Sequence, residues 1–465
     1  MLIKKKYLLA IFSLLFTIGM NAQGYEIPLK INNLKDSMVY FGHHYGNGYF
    51  VNDSVYLDKN GQAVFKGTSK LKGGIYFLLL PQNRYFDFLV DNNQHFSITC
   101  DTSDFLNSVK FKNSYQNEKF YAYQKYLNQK FREIAVKKEL QKKSLNNIDS
   151  LMLIENEIDL IYNKIYLAKE EIILEHPDSL ISVLIKASLP IVPPPAPRDT
   201  SGILLDSLFE YKYSKQHFFD NFNFGDPRLL QSAIIQNKVF EYLTQMSVPH
   251  YDSIISDLDY VVSKAAANEE TYKFVLNSLF QFYSKSNVIT DENVFVHIVE
   301  NYYLKEKTPW ILPELTKKLK EDVETRKPNL VGQLAPDFQM KDDKGKIVNL
   351  RNIQNKYVIL YFYEVDCEIC QEVTPELMNF YRIIKDRGVN IIGVYVGKDK
   401  AKWASYIDEK HLTWINAWDP ENKTGFREKY KIAGTPLLYL LDEDQKIVAK
   451  RITLEQLMGY FNTIK

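Results

Sequence analysis

Seven consecutive apolar residues, Tyr357 to Tyr363, run almost directly into Cys367, Glu368, Ile369 and Cys370. An unbroken apolar run of this length reads as a strand buried on both faces, which belongs in the middle of a sheet covered by helices. The residues downstream agree. Glu372 to Arg387 has helical spacing, with Leu377, Phe380, Ile383 and Ile384 expected on one face, and Val389 to Val396 reads as a second buried strand. Ala401 to Glu409 is expected to be helical, Leu437 to Leu441 a strand, Ile447 to Ala449 its hairpin partner through Asp442 to Gln445, and Leu454 to Ile464 a closing helix. Strands alternating with helices and ending in a hairpin describe an α/β domain with a mixed sheet.

The cysteine pair carries the chemistry. Two thiols three residues apart, with the first at a helix start, close a small disulfide ring. The helix dipole favours a thiolate at Cys367, the expected nucleophile, and Cys370 stands where it can resolve a mixed disulfide. The same spacing serves zinc, but His411 is the domain's only histidine and there is no second CxxC, so no metal is expected. A purely structural bridge across so short a loop would constrain little of the unfolded chain. Asp366 and Glu368 flank Cys367 with negative charge, which opposes a thiolate and predicts a reducing couple.

The other end of the chain sets the compartment. Lys4, Lys5 and Lys6, an apolar run from Tyr7 to Met20 and the small Ala22 have the order of a secretory signal, with cleavage expected near Ala22 or Gln23. The run is shorter than the roughly 20 residues a membrane span needs. The mature protein is therefore expected to be periplasmic or otherwise exported, soluble and without a membrane span. In an oxidising compartment, a 465-residue chain with three cysteines has no disulfide framework, so the pair reads as chemical. Cys100, in the alternating run from His95, reads as a buried strand residue. With 58 Lys and Arg against 57 Asp and Glu there is no field to attract a polyanion, and nucleic acid is not an expected partner.

Between the two ends the hydrophobic period changes. Tyr25 to about Phe111 alternates with period two between turn residues, predicting a sandwich of six to eight strands, with a tight hairpin turn at Asp58 to Gly61. From Tyr115 the spacing is helical, as in Leu151, Ile154, Ile158, Ile161 and Ile165. Five prolines from Pro190 to Pro197 break the helical stretch. Phe218, Phe219, Phe222 and Phe224 read as packing rather than a ligand cage. The expected organisation is multidomain: a signal peptide over 1–23, an all-β sandwich over 24–112, an all-α domain over 113–328 with a proline-rich loop at 189–198, and an α/β domain over 329–465.

Gly332, Ala335 to Phe338, the buried strand, the CxxC and Gly434, Thr435 and Pro436 together resemble the thioredoxin superfamily, closest to TlpA-like and ResA-like thiol:disulfide oxidoreductases. The resemblance covers roughly the last 135 residues and implies a thioredoxin fold, no cofactor, protein or peptide disulfides as substrates, and an upstream redox partner. It also implies a cis peptide bond before Pro436, with backbone groups of Thr435 offered to an extended substrate. The preceding modules resemble a β-rich plus helical arrangement recurrent in secreted bacterial proteins. Departures from the family pattern are Asp366 where thioredoxins have Trp, Ile369 where many have Pro, Tyr361 at the buried acid, and Val373 where ResA-like proteins carry a carboxylate. Glu364 and Glu368 remain as acid/base candidates. Two other readings stand beside the oxidoreductase: a thiol peroxidase, whose usual Pro and Thr or Ser positions hold Leu360 and Glu364, and a redox-idle thioredoxin-fold binding protein.

Overall fold

The computed structural model describes residues 24–144 and 147–463; the expected signal segment lies outside the described residues. The chain packs as two compact units. One holds Tyr242 and the described residues before it with Ala265–Thr271, and the other holds Leu243–Lys264 and the chain from Tyr272.

In the first unit, β1 (Tyr25–Asn32), β2 (Met38–Tyr45), β3 (Gly48–Tyr56), β4 (Gln62–Gly67), β5 (Gly74–Leu80), β6 (Arg84–Val90), β7 (Ser97–Asp101) and β8 (Lys110–Lys112) form two sheets. Their orders are β4-β1-β7-β8 and β3-β2-β5-β6. Alternate residues of both sheets, such as Ile27, Leu29 and Ile31 of β1 and Tyr76, Leu78 and Leu80 of β5, share one core, as the period-two pattern requires. Cys100 is in that core, and burial pushes its thiol up to about 12.

The expected hairpin at Asp58 to Gly61 is instead a corner between the sheets, since β3 pairs with β2 and β4 with β1. The Asp58 carboxylate accepts the N–H groups of Asn60 and Gln62, each at 2.8 Å. Gly61 takes a φ of 71°, and a Cβ there would lie 2.3 Å from the Ile31 carbonyl oxygen.

The period then shifts to helical. Helices Tyr115–Lys143 and Ile148–Glu175 meet along Ile134, Ile154, Ile158, Ile161 and Ile165. Residues 189–197 adopt neither helix nor strand. Phe218, Phe219, Phe222 and Phe224 are buried against one another, edge to face.

The second unit contains the thioredoxin-like domain. Its strands are β9 (Gln339–Asp342), β10 (Ile347–Asn349), β11 (Tyr357–Tyr363), β12 (Val389–Tyr395), β13 (Ile415–Trp418), β14 (Leu437–Leu441) and β15 (Ile447–Lys450), in the order β10-β9-β13-β12-β11-β14-β15. Central β11 runs parallel to β12 and antiparallel to β14. Its two faces enter two cores: Ile359, Tyr361 and Tyr363 with Leu377, Phe380 and Ile384 on one side, and Val358, Leu360 and Phe362 with Phe426 and Tyr430 on the other. That double burial is why the strand has no polar position.

Two details differ from the sequence reading. Strand β13 is an addition, and Ile383 is 72% exposed because the buried stripe of its helix runs through Cys370, Thr374, Leu377, Phe380 and Ile384. No helix among the described residues is long and apolar enough to cross a membrane.

Candidate active site

Strand β11 ends at Tyr363, and the chain turns through Glu364, Val365 and Asp366 into the helix Glu368–Ile384. Three bonds hold the turn. The Cys367 N–H donates to the Glu364 carbonyl at 3.3 Å, the Val365 N–H to Glu364 Oε1 at 3.0 Å, and the Gln371 side-chain amide to the Val365 carbonyl at 3.0 Å.

Cys367 is the N-cap of this helix, and its sulfur accepts the Cys370 N–H at 3.2 Å. A sulfur thus takes the place of the usual capping oxygen, at the helix end where partial positive charge gathers. Cys367 is half-buried, whereas Cys370, one turn inside, has no exposed surface.

The second wall is the segment before β14. Its Thr435–Pro436 bond is cis, and the Cys367 thiol donates to the Thr435 carbonyl at 3.4 Å. The expected residues Cys367, Cys370, Thr435 and Pro436 are therefore brought together from two parts of the chain.

The two sulfurs are electrostatically unlike. Burial pushes the Cys367 thiol up, but hydrogen bonds from the Cys370 thiol and N–H, from the Thr435 hydroxyl and from the Ile369 N–H outweigh it, and the net direction is below the ordinary thiol value. Cys370 goes the other way, up to about 11, first through burial and second through its bond with Cys367, with the Thr435 hydroxyl pulling back. The Thr435 hydroxyl thus serves both sulfurs, a role the sequence reading had not given it.

The two acidic neighbours of Cys367 do not raise its thiol as their charge alone would. Asp366 is paired with Lys402 Nζ at 2.7 Å, and Glu368 lies exposed on the first turn, where a carboxylate suits the helix dipole. Since Cys367 is lowered rather than raised, a reducing couple does not follow from these two charges.

The acid/base candidates are placed differently from each other. Glu364 is partly buried, with Oε1 on the Val365 N–H and its carboxylate also bonded to the Tyr395 hydroxyl. Glu368 points away at the exposed helix start.

Behind Cys370 lies a buried group of hydroxyls. Tyr361, at the position of the buried acid, reaches Thr374 Oγ1 at 2.8 Å, and Tyr406 donates to the same atom at 2.9 Å. Thr374 follows Cys370 by one helical turn, so helical spacing alone could have found it. Tyr406 comes from the helix Lys400–Glu409 and has no local signal. Among the described residues, no group of three or more His, Cys, Asp or Glu side chains converges as metal ligands would.

Residues 331–450 match the AhpC/TSA family, residues 202–329 a domain of unknown function, DUF5106, and residues 25–120 another, DUF4369. The thiol-disulfide oxidoreductase ResA of Oceanobacillus iheyensis is 32% identical over 142 residues, 29% of this chain and 72% of that protein. ResA of Bacillus cereus is 30% identical over 137 residues, 29% of this chain and 78% of that protein. The crystal structure of a domain of a possible thiol-disulfide isomerase from Cytophaga hutchinsonii shares 34% identity, covering 29% of this chain and 92% of that one, with a TM-score of 0.28. Through its C-terminal domain, the chain belongs to the ResA family of thiol-disulfide oxidoreductases.

Proposed function

We propose that the protein is an exported reductase of protein disulfides, with Cys367 as nucleophile and Cys370 as resolving thiol. The Cys367 thiolate attacks a substrate disulfide; one substrate sulfur bonds to Cys367 and the other leaves and takes up a proton. Cys370 Sγ then attacks Cys367 Sγ, expelling the second substrate sulfur, which takes up the proton that Cys370 gives up. The substrate gains two electrons, the Cys367–Cys370 disulfide forms, and a dithiol donor must reduce it again.

One observation carries the direction. Cys370 is wholly buried with its thiol pushed up to about 11. Oxidising a substrate would require expelling Cys370 from the enzyme disulfide, and a thiol of high pKa leaves slowly. In reduction both substrate steps expel substrate sulfurs, and Cys370 is expelled only when the dithiol donor restores the pair. Thr435 and Pro436, beside Cys367, are the proposed edge for an extended substrate segment. Glu364 and Glu368 are not needed as acid or base in this scheme. The charged, apolar and small-residue order of residues 4–22 supports export.

The test is trapping. A Cys370→Ser variant is expected to accumulate mixed disulfides with exported proteins through Cys367, and absence of capture would leave the redox-idle scaffold as the better reading. Equilibration with glutathione buffers checks direction: a potential as oxidising as about −180 mV overturns the reductase. Because residues 331–450 match the AhpC/TSA family, peroxide consumption by the reduced protein is the third measurement, and rapid turnover would favour a thiol peroxidase.

A further inference from the structure

The segment that carries Thr435 and Pro436 is anchored at both ends by residues that precede the thioredoxin fold in sequence. Asn329, the last residue of the DUF5106 match, is fully buried. Its side-chain amide donates to the Tyr439 hydroxyl at 2.9 Å, and Tyr439 donates in turn to the Tyr430 carbonyl at 2.9 Å. Tyr439 lies on β14, just after Pro436, and Tyr430 lies just before the segment begins. One bond pair thus ties both flanks of residues 431–436 to a single residue.

Asn329 is itself held. Its carbonyl accepts Lys450 Nζ at 2.5 Å, and Lys450, on β15 beside Tyr439, also pairs with Glu292 of the helix Asp291–Ile298. Glu292 further meets Arg326 at 3.2 Å and Lys431, the first residue of the segment, at 3.9 Å. The neighbouring Asn293 amide donates to the Val331 carbonyl at 2.8 Å. A lysine buried this deeply is tolerated only with partners, so the cluster has one arrangement rather than many.

We propose that Glu292 and Asn329, through Lys450 and Tyr439, are positioning residues that set the Thr435–Pro436 segment against Cys367, so that the helices before residue 330 tune the binding of extended disulfide substrates. The inference rests on the reading of Thr435 and Pro436 as the substrate edge, and it gives those helices a part in the reaction without contact with the reacting sulfurs.

The full chain tests it with Tyr439→Phe, which removes one hydroxyl from the bond pair, and Glu292→Gln, which removes the charge at the far end. Two readouts are needed. Amide exchange at Ile432, whose N–H donates to the Arg427 carbonyl at 2.9 Å, is expected to accelerate at least tenfold in both variants. The KM for insulin, a protein disulfide, is expected to rise three- to tenfold, while kcat and the turnover of hydroxyethyl disulfide, too small to lie along the segment, stay within twofold. Unchanged exchange in a folded Tyr439→Phe protein overturns the brace. Equal losses on both substrates overturn its role in substrate binding. If the parent chain reduces neither disulfide, the oxidoreductase reading falls separately, and exchange still decides whether the brace exists.

Discussion

The Cys367 thiol donates to the Thr435 carbonyl at 3.4 Å, and the Thr435 side chain lowers both Cys367 and Cys370, so one residue on the segment before β14 acts on both members of the pair. Hydrogen bonds to a charged group are stronger than those to a neutral one, and the thiolate gains more from the Thr435 hydroxyl than the thiol does. Alkylation of Cys367 by iodoacetamide should therefore rise with pH about a midpoint below 9, and Thr435→Val should move that midpoint upward. A profile that stays in place would show the hydroxyl to be a bystander.

Lys402 neutralises Asp366 in an ion pair that is open to solvent on both sides. Exposed pairs contribute little, so the expected effect is small and of known sign. Lys402→Ala exposes the Asp366 charge to the neighbouring thiolate and should slow Cys367 alkylation at pH 7 by about twofold. The difference should fade in 1 M salt, where charges more than roughly 3 Å apart are screened. Stopped-flow alkylation at two salt concentrations checks both parts.

The buried Thr374 hydroxyl shares a hydrogen bond with the Tyr361 hydroxyl and accepts one from Tyr406. Thr374→Val leaves both phenols with only the long bonds to the Cys370 carbonyl, at 3.5 Å from Tyr361 and 3.4 Å from Tyr406, at a cost of about 1–2 kcal/mol. All four tryptophans, Trp310, Trp403, Trp414 and Trp418, belong to the second unit, so their fluorescence in urea follows that unit alone. Adding Tyr406→Phe to Thr374→Val should recover part of the loss; a further equal loss would mean the hydroxyls do not depend on Thr374.

Gly61→Ala should weaken the first unit by about 2 kcal/mol or more, because a side chain at its φ of 71° is strained and its Cβ would meet the Ile31 carbonyl. In a Cys367→Ser, Cys370→Ser background, the urea needed to expose Cys100 to a thiol reagent should fall. The tryptophan transition should hold its midpoint.

Features set by local burial were the legible ones. β11 could be read directly because both of its faces enter cores, leaving no place for a polar residue. β13 could not, because it has four residues and includes the buried Asn416, whose side-chain nitrogen donates to the Trp414 carbonyl. The corner at Asp58 looks like a hairpin in sequence, since turn chemistry reports a reversal but not which strand the chain pairs with afterwards. Ile383 is apolar yet lies about 100° around its helix from Ile384, outside the buried stripe.

At the site, Cys367, Cys370 and the Thr435–Pro436 segment carried short-range signatures and come together in space. Lys402 and Tyr406 carried none. Each meets its partner across more than 30 residues, and the misjudged influence of Asp366 came from not seeing the cation that sits on it.

Cys100 has a practical consequence for work on this protein. It is walled into the first unit with a thiol near 12, and Cys370 is equally hidden in the second. A maleimide dye added to the native, reduced chain should therefore tag a single atom, Cys367 Sγ, with no cysteine removed by mutation. The unaltered protein is in this sense already a one-colour sensor, whose labelling reads out the redox state of its own centre.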